Sequence, residues 1–176
     1  MKRTLMIFSL VLVIAVSLIA GTLAVYTTTI DKIAEGSVVA KEFVLLENGS
    51  DTFIQNVKIA PTETVRWQFS VKNYNETAVS ETAMDLDLKV NVGAAAGKAA
   101  IDPMVVTVKN EAGVVVGTKT GAGSIEFKDG FGLSGAGQAH TYTVEINWPS
   151  NDASDINYAG AGFGNAVVVS VTGTQK

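Results

Sequence analysis

The sequence predicts an antiparallel β-sandwich of about eight strands. Two observations carry the prediction: three segments alternate apolar and polar residues with a period of two, and turn-forming residues punctuate the intervals between them. Within 63–72, Val65, Trp67, Phe69 and Val71 fall on one face, and Arg66, Gln68, Ser70 and Lys72 on the other. Within 84–92, Met84, Leu86, Leu88, Val90 and Val92 face inward while Asp85, Asp87, Lys89 and Asn91 face outward. Within 141–148, Tyr142, Val144, Ile146 and Trp148 make the apolar face. This period over eight or more residues belongs to half-buried strands rather than helices.

Shorter β-branched runs at 38–46, 52–59, 104–109, 114–118 and 167–172 add the remaining strands. Asn48-Gly49-Ser50, Asn110-Glu111-Ala112-Gly113 and Asp129-Gly130 read as turns, because Gly and Asn tolerate positive φ. Residues 109–117 form a predicted hairpin. The segment 94–100 is a weak helical candidate interrupted by Gly97, 121–137 a Gly-rich loop with a short strand at 124–127, and 151–164 a second long loop. Many short strands with one wet face argue for a sandwich.

The N-terminus reads as an export signal. Met1-Lys2-Arg3 is a short positive start, 5–20 is apolar except for Ser9 and Ser17, and Gly21-Thr22-Leu23-Ala24 places small residues before a cut between Ala24 and Val25. Those three features define a cleavable signal peptide. The competing reading is an uncleaved anchor, since a span needs about 20 apolar residues. Cleavage leaves 152 residues, the size of one domain. Without Lys2 and Arg3 the balance is 11 basic to 17 acidic residues, a net of −6, which argues against nucleic acid and gives no pull toward anionic lipid. The chain has no Cys, so thiol chemistry and disulfide staples are excluded and stability rests on an apolar core.

Candidate chemistry is sparse. His140 is the only histidine, and no nucleophile motif accompanies it, so it reads as a surface or strand-edge residue. A catalytic zinc site usually takes three protein ligands, and neither Cys nor a His-Glu-x-x-His motif is available. Asp85 and Asp87 share one strand face beside Lys89 and read as a solvated surface. Asp152 and Asp155, with Asn151 and Asn157, are the weak metal candidates: such a loop suits calcium, and equally suits capping of a turn or short helix. Gly160-Ala161-Gly162-Phe163-Gly164 precedes a strand, not a helix, and is no dinucleotide loop. Asn48-Gly49-Ser50 and Asn75-Glu76-Thr77 match the glycosylation acceptor pattern.

The order of several motifs resembles one family. After Gly21-Thr22-Leu23-Ala24 come Val25-Tyr26-Thr27, Ala60-Pro61-Thr62-Glu63 and Phe69-Ser70-Val71-Lys72-Asn73, then Ile146-Asn147-Trp148-Pro149, Asn151-Asp152-Ala153-Ser154-Asp155 and Val169-Ser170-Val171-Thr172-Gly173-Thr174-Gln175. Together they resemble the TasA/camelysin family, exported proteins whose signals are removed by a SipW-type signal peptidase. The resemblance implies a jelly-roll sandwich that self-associates into extracellular filaments, either biofilm-matrix fibres or surface pili. Some camelysin-like members are described as metallopeptidases; without a zinc motif here, only the fibre role carries over. The central Gly-rich part, 93–137, carries none of the motifs on which the resemblance rests. The family's Pro-Gly-Asp turn stands here as Pro61-Thr62-Glu63, and the missing Gly predicts a turn of different shape.

The resemblance also implies that the segment freed by cleavage becomes a strand in the next subunit. Residues 25–33 suit that role, because Val25, Tyr26, Thr27, Thr28, Thr29 and Ile30 favour extended backbone. Val25, Tyr26, Ile30 and Ile33 are the side chains expected to matter; an ordinary first strand or a frayed tail is the alternative. The chain thus divides into a signal at 1–24, an N-terminal donor strand at 25–35 and a sandwich at 36–176. A monomeric cell-surface binding module remains the contrasting class, with Tyr74 and Tyr158 as its exposed loop aromatics.

Overall fold

In a computed structural model, the structure describes residues 3, 4, 6, 7, 9–11, 38, 40, 41, 43–49, 51–151 and 153–176. The chain divides into two compact units, Met1–Val39 and Ala40–Lys176. In the first, the described positions of 3–11 are helical. No helix among the described residues is long and apolar enough to cross a membrane.

The second unit is an antiparallel β-sandwich. Its strands are β1 (Leu46–Glu47), β2 (Thr64–Lys72), β3 (Met84–Ala94), β4 (Val105–Lys109), β5 (Val115–Thr120), β6 (Gly123–Phe131), β7 (Ala139–Asn147) and β8 (Asn165–Gln175). One sheet has the order β1-β2-β7-β4-β5 and the other β6-β3-β8. The inward alternation fills the space between them: Phe69 and Val71 of β2, Val106 and Val108 of β4 and Tyr142, Val144 and Ile146 of β7 meet Met84, Leu86, Leu88, Val90 and Val92 of β3 in one buried cluster. Trp148 is buried at the end of β7, and Trp67 packs half-buried against the same core.

The outer faces are polar and paired across strands. Lys128 bonds Asp87 at 2.8 Å, Lys176 bonds Asp85 at 2.6 Å and Lys89 bonds Glu126 at 2.8 Å, so Asp85 and Asp87 are indeed a solvated strand face. On the other sheet Glu145 lies between Lys109 at 2.7 Å and Arg66 at 2.9 Å, and these two cations hold its carboxyl below the ordinary value.

The predicted strands at 63–72, 84–92, 104–109, 114–118, 141–148 and 167–172 are present, as is the hairpin. Its turn is closed by Asn110, whose Oδ1 accepts the Val114 N–H at 2.9 Å. Three expectations are corrected. Among the described residues of 38–46 and 52–59, only Leu46 enters a strand. The second run instead flanks β2: the Thr52 N–H bonds Gln68 O at 3.0 Å, Thr52 Oγ1 accepts the Gln68 N–H, and Phe53 packs on Trp67 with ring centroids 5.0 Å apart. Burial of Phe53 takes precedence over strand propensity there. Second, Asp129-Gly130 is no turn and lies inside the nine-residue β6. Gly130 serves close approach, since a Cβ there would meet Met84 O at 2.7 Å. Third, 94–100 forms a turn through Gly97 at φ +72° and no helix, and 151–164 contains a short 3₁₀ helix, Asp155–Tyr158.

The Pro61-Thr62-Glu63 turn keeps the shape that a glycine would favour. The Glu63 N–H bonds Ala60 O at 3.0 Å, Pro61 takes the second position, and Thr62 has φ +76°. This is the pattern of a type II turn, which asks for Gly at its third position. The Thr62 N–H to Trp148 O at 2.7 Å and the Trp148 N–H to Glu63 O at 3.2 Å hold the β-branched residue there. Left-handed backbone costs a non-glycine residue about 1–2 kcal/mol, and the extra unfolded-state entropy of glycine offsets about 0.5–1 kcal/mol of that. Thr62→Gly is therefore expected to stabilise the protein by up to about 1 kcal/mol in urea unfolding; a loss of stability would show that the turn is not strained.

Candidate functional site

The two sheets close differently along their two sides. On one side β5 passes directly into β6 through Gly121 (φ +69°) and Gly123 (φ +141°), joining the five-stranded sheet to the three-stranded one. On the other side β8 is an edge strand, and no strand among the described residues pairs with its outer edge. Across from it stand β2 and the two-residue β1. Between them lies an open groove of about 410 Å³, floored by Leu45, Phe53, Phe69, Val71, Val169 and Val171, with Glu47 and Asp51 among the polar residues that line it.

The register of β8 defines what this edge offers. The Lys176 N–H bonds Ala83 O at 3.0 Å, in line with the pairing of Met84 with Gln175. In an antiparallel ladder alternate residues face the partner strand. Even-numbered residues of β8 therefore spend their backbone groups on β3. Val167, Val169, Val171 and Gly173 turn theirs toward the open edge, with the valine side chains pointing inward. Those three valines are only half-buried, whereas Leu86, Leu88 and Val90 on the neighbouring β3 are fully buried. The apolar inner face thus continues past the last strand that covers it.

Glu47 and Asp51 are exposed, and a hydrogen bond to the Asp51 carboxylate, together with its negative charge, raises the Glu47 carboxyl above its ordinary value. The segment leading into β1 crosses toward β8 at one end of the groove, where Leu45 and Phe43 pack close to Gly173.

The residues singled out at cleavage and in the donor strand, Ala24, Val25, Tyr26, Ile30 and Ile33, lie outside the described residues, as does Asp152. Asp155 is placed, and its carboxylate is engaged within the fold: Oδ1 accepts the Trp148 Nε1–H at 3.1 Å and Oδ2 the Asn151 N–H at 2.8 Å. Those two bonds close the turn that starts at Asn151 and tie the loop to Trp148 at the end of β7. Among the described residues no three His, Asp or Glu side chains gather where they could hold a metal ion. Tyr158 packs edge-on against Phe163, with centroids 5.6 Å apart, and the Tyr74 ring lies against Gly137 with Lys72 Nζ 5.3 Å from its centroid.

His140 has a partner that the turn assignment of Asp129 concealed. It lies in β7 with its ring 4.7 Å from that of Phe131, and its Nδ1 is 2.9 Å from Asp129 Oδ2. The Tyr142 hydroxyl donates to the same oxygen at 2.5 Å, and the Gly130 N–H donates to Oδ1 at 2.8 Å. Asp129 belongs to the three-stranded sheet and His140 and Tyr142 to the five-stranded one, so one carboxylate ties the two sheets together. Burial acts to raise the Asp129 carboxyl, but the Tyr142 hydroxyl, the Gly130 N–H and His140 outweigh it and hold it below the ordinary value. Burial and the Asp129 carboxylate push the Tyr142 hydroxyl far upward, so it remains a donor.

A depressed carboxyl stabilises the fold above its unfolded value and loses that contribution as pH falls through its folded value. The protein is expected to lose stability in acid below about pH 4, and Asp129→Asn to flatten that acid limb. Identical acid limbs for the two proteins in pH-dependent melting would show that this tie does not govern acid sensitivity.

Comparison with known proteins finds no matching family model, no significantly similar curated protein and no significantly similar solved structure.

Proposed function

We propose that the chain is an exported structural subunit that polymerises into extracellular filaments, each copy lending residues 25–33 as a strand to the β8 edge of the next. The observation that carries this reading is the outer edge of β8, which no strand among the described residues pairs, above an apolar groove in a sandwich of five strands against three. A strand laid there gains main-chain hydrogen bonds along the edge and register from alternate side chains in the groove. Nine residues in extended form span about 30 Å, enough to run along most of β8. Alternation puts Tyr26, Thr28 and Ile30 on one face, with Val25 and Ile33 on the other at the two ends.

The positive start, apolar run and small residues before Val25 support export and cleavage by a signal peptidase, which frees this segment from the signal. Lending a strand from one surface to a different surface of the neighbour is heterologous and open-ended, so the product is a filament at the cell surface or in a biofilm matrix. The resemblance to the TasA/camelysin family supplies the finer description of the sandwich as a jelly roll and of the product as a matrix fibre or pilus. Purified mature chain is expected to form filaments under electron microscopy, and chain lacking 25–33 to remain monomeric. Filaments from the truncated chain would refute the donor role.

A further inference from the structure

The end of the sandwich beyond β2 and before β7 holds a buried polar knot built by three separate segments. Asn73 follows β2, Gln138 precedes β7, and Ser80 and Thr82 lie in the connection to β3. Their backbones are tied tightly. The Asn73 N–H bonds Gln138 O at 3.1 Å, and the Gln138 N–H bonds Asn73 Oδ1 at 2.7 Å. The Ser80 N–H bonds Asn73 O at 2.8 Å, and Ser80 Oγ donates to Thr82 O at 3.2 Å. Asn73, Ser80 and Thr82 are 1%, 2% and 7% exposed. Tyr74 lies over the backbone beside Gln138, so close that a Cβ on Gly137 would fall 2.3 Å from its ring.

Three side-chain atoms of this knot have no protein partner among the described residues: Asn73 Nδ2, Thr82 Oγ1 and Gln138 Oε1. The amide of Asn73 cannot be turned over to help, because its Oδ1 already receives the Gln138 N–H. A buried polar group left unmet loses its hydration without compensation, so three together are a strong demand for a partner.

We infer that an ordered internal water occupies this knot, accepting from Asn73 Nδ2, donating to Gln138 Oε1 and pairing with the Thr82 hydroxyl. The chemistry selects water over an ion. A cation meets the N–H of Asn73, an anion meets the oxygen of Gln138, and a neutral molecule that both donates and accepts satisfies all three. Buried waters in proteins typically make about three such bonds to otherwise unmet groups. The water thereby joins the ends of β2 and β7 to the entry of β3.

The isosteric substitution Thr82→Val reads this directly, because the two possibilities have opposite signs. If the hydroxyl bonds a water, its removal lowers the melting temperature of the full chain by about 3 °C. If the hydroxyl is unpaired, replacing it with a methyl group leaves the melting temperature unchanged or raises it. A crystal structure resolving ordered solvent supplies the second readout. Density about 2.7–3.2 Å from all three atoms is expected. A dry knot, or side chains rearranged to bond one another, would overturn the inference.

Discussion

Val169→Pro is expected to abolish polymerisation while leaving the sandwich folded. The N–H at this position points to the open edge, because β8 spends only its even-numbered residues on β3. Proline on an edge strand with its missing N–H toward solvent leaves the strand's own ladder intact. An incoming strand, by contrast, loses a central donor and meets the pyrrolidine ring where it must approach. The expected outcome is a monomer whose far-UV spectrum matches that of the parent and whose filaments are missing by electron microscopy. Normal filaments from the folded variant would place the polymer contact away from β8. A variant that fails to fold is distinguished by the same spectrum, and Val171→Lys, which charges the groove floor instead, then tests the same edge.

The largest loss of stability is expected at Tyr142. Its side chain is 1% exposed, stacks on Phe69 at 5.0 Å, meets Phe127 at 5.4 Å and donates to Asp129. Truncation removes an aromatic ring from between the sheets and takes away a donor from the carboxylate that links them. Tyr142→Ala is expected to cost about 3–5 kcal/mol. Tyr142→Phe keeps the ring and removes only the hydroxyl, for about 1–3 kcal/mol. Urea unfolding separates the two. A neutral Tyr142→Phe would mean that the bond to Asp129 contributes nothing, and that the cost of Tyr142→Ala is cavity alone.

Local patterning made much of this fold legible. The inward sets of β2, β3 and β7 stand in the sequence as strict alternation, and the β4–β5 hairpin is announced by Asn110 and Gly113. β6 is legible only in part, as a short strand at 124–127, because Asp129-Gly130 carries turn chemistry. The alternation of Ile125, Phe127, Asp129 and Phe131 was the signal that places Asp129 inward, beside His140 and Tyr142. Thr62 shows the reverse case: tertiary hydrogen bonds to Trp148 impose a backbone conformation that its side chain disfavours. The open edge of β8 cannot be read from residues 165–175 themselves. Which strand lies at the margin of a sheet is decided by pairings between segments far apart in the chain, and β8 pairs with β3 across some eighty intervening positions. The apolar start and the β-prone segment that follows it are legible as composition and order; the groove proposed to receive that segment exists only once the sandwich has closed.

The absence of cysteine allows a direct test of the strand-lending contact, since any thiol introduced is the only one present. Two mature single-cysteine chains, Ile30→Cys and Val171→Cys, are mixed, allowed to assemble and oxidised, with Val169→Cys and Val167→Cys as register alternatives for the second. The account predicts a disulfide between unlike chains for at least one of these pairings, in the filament fraction only. Filaments that form normally while no pairing cross-links would contradict it.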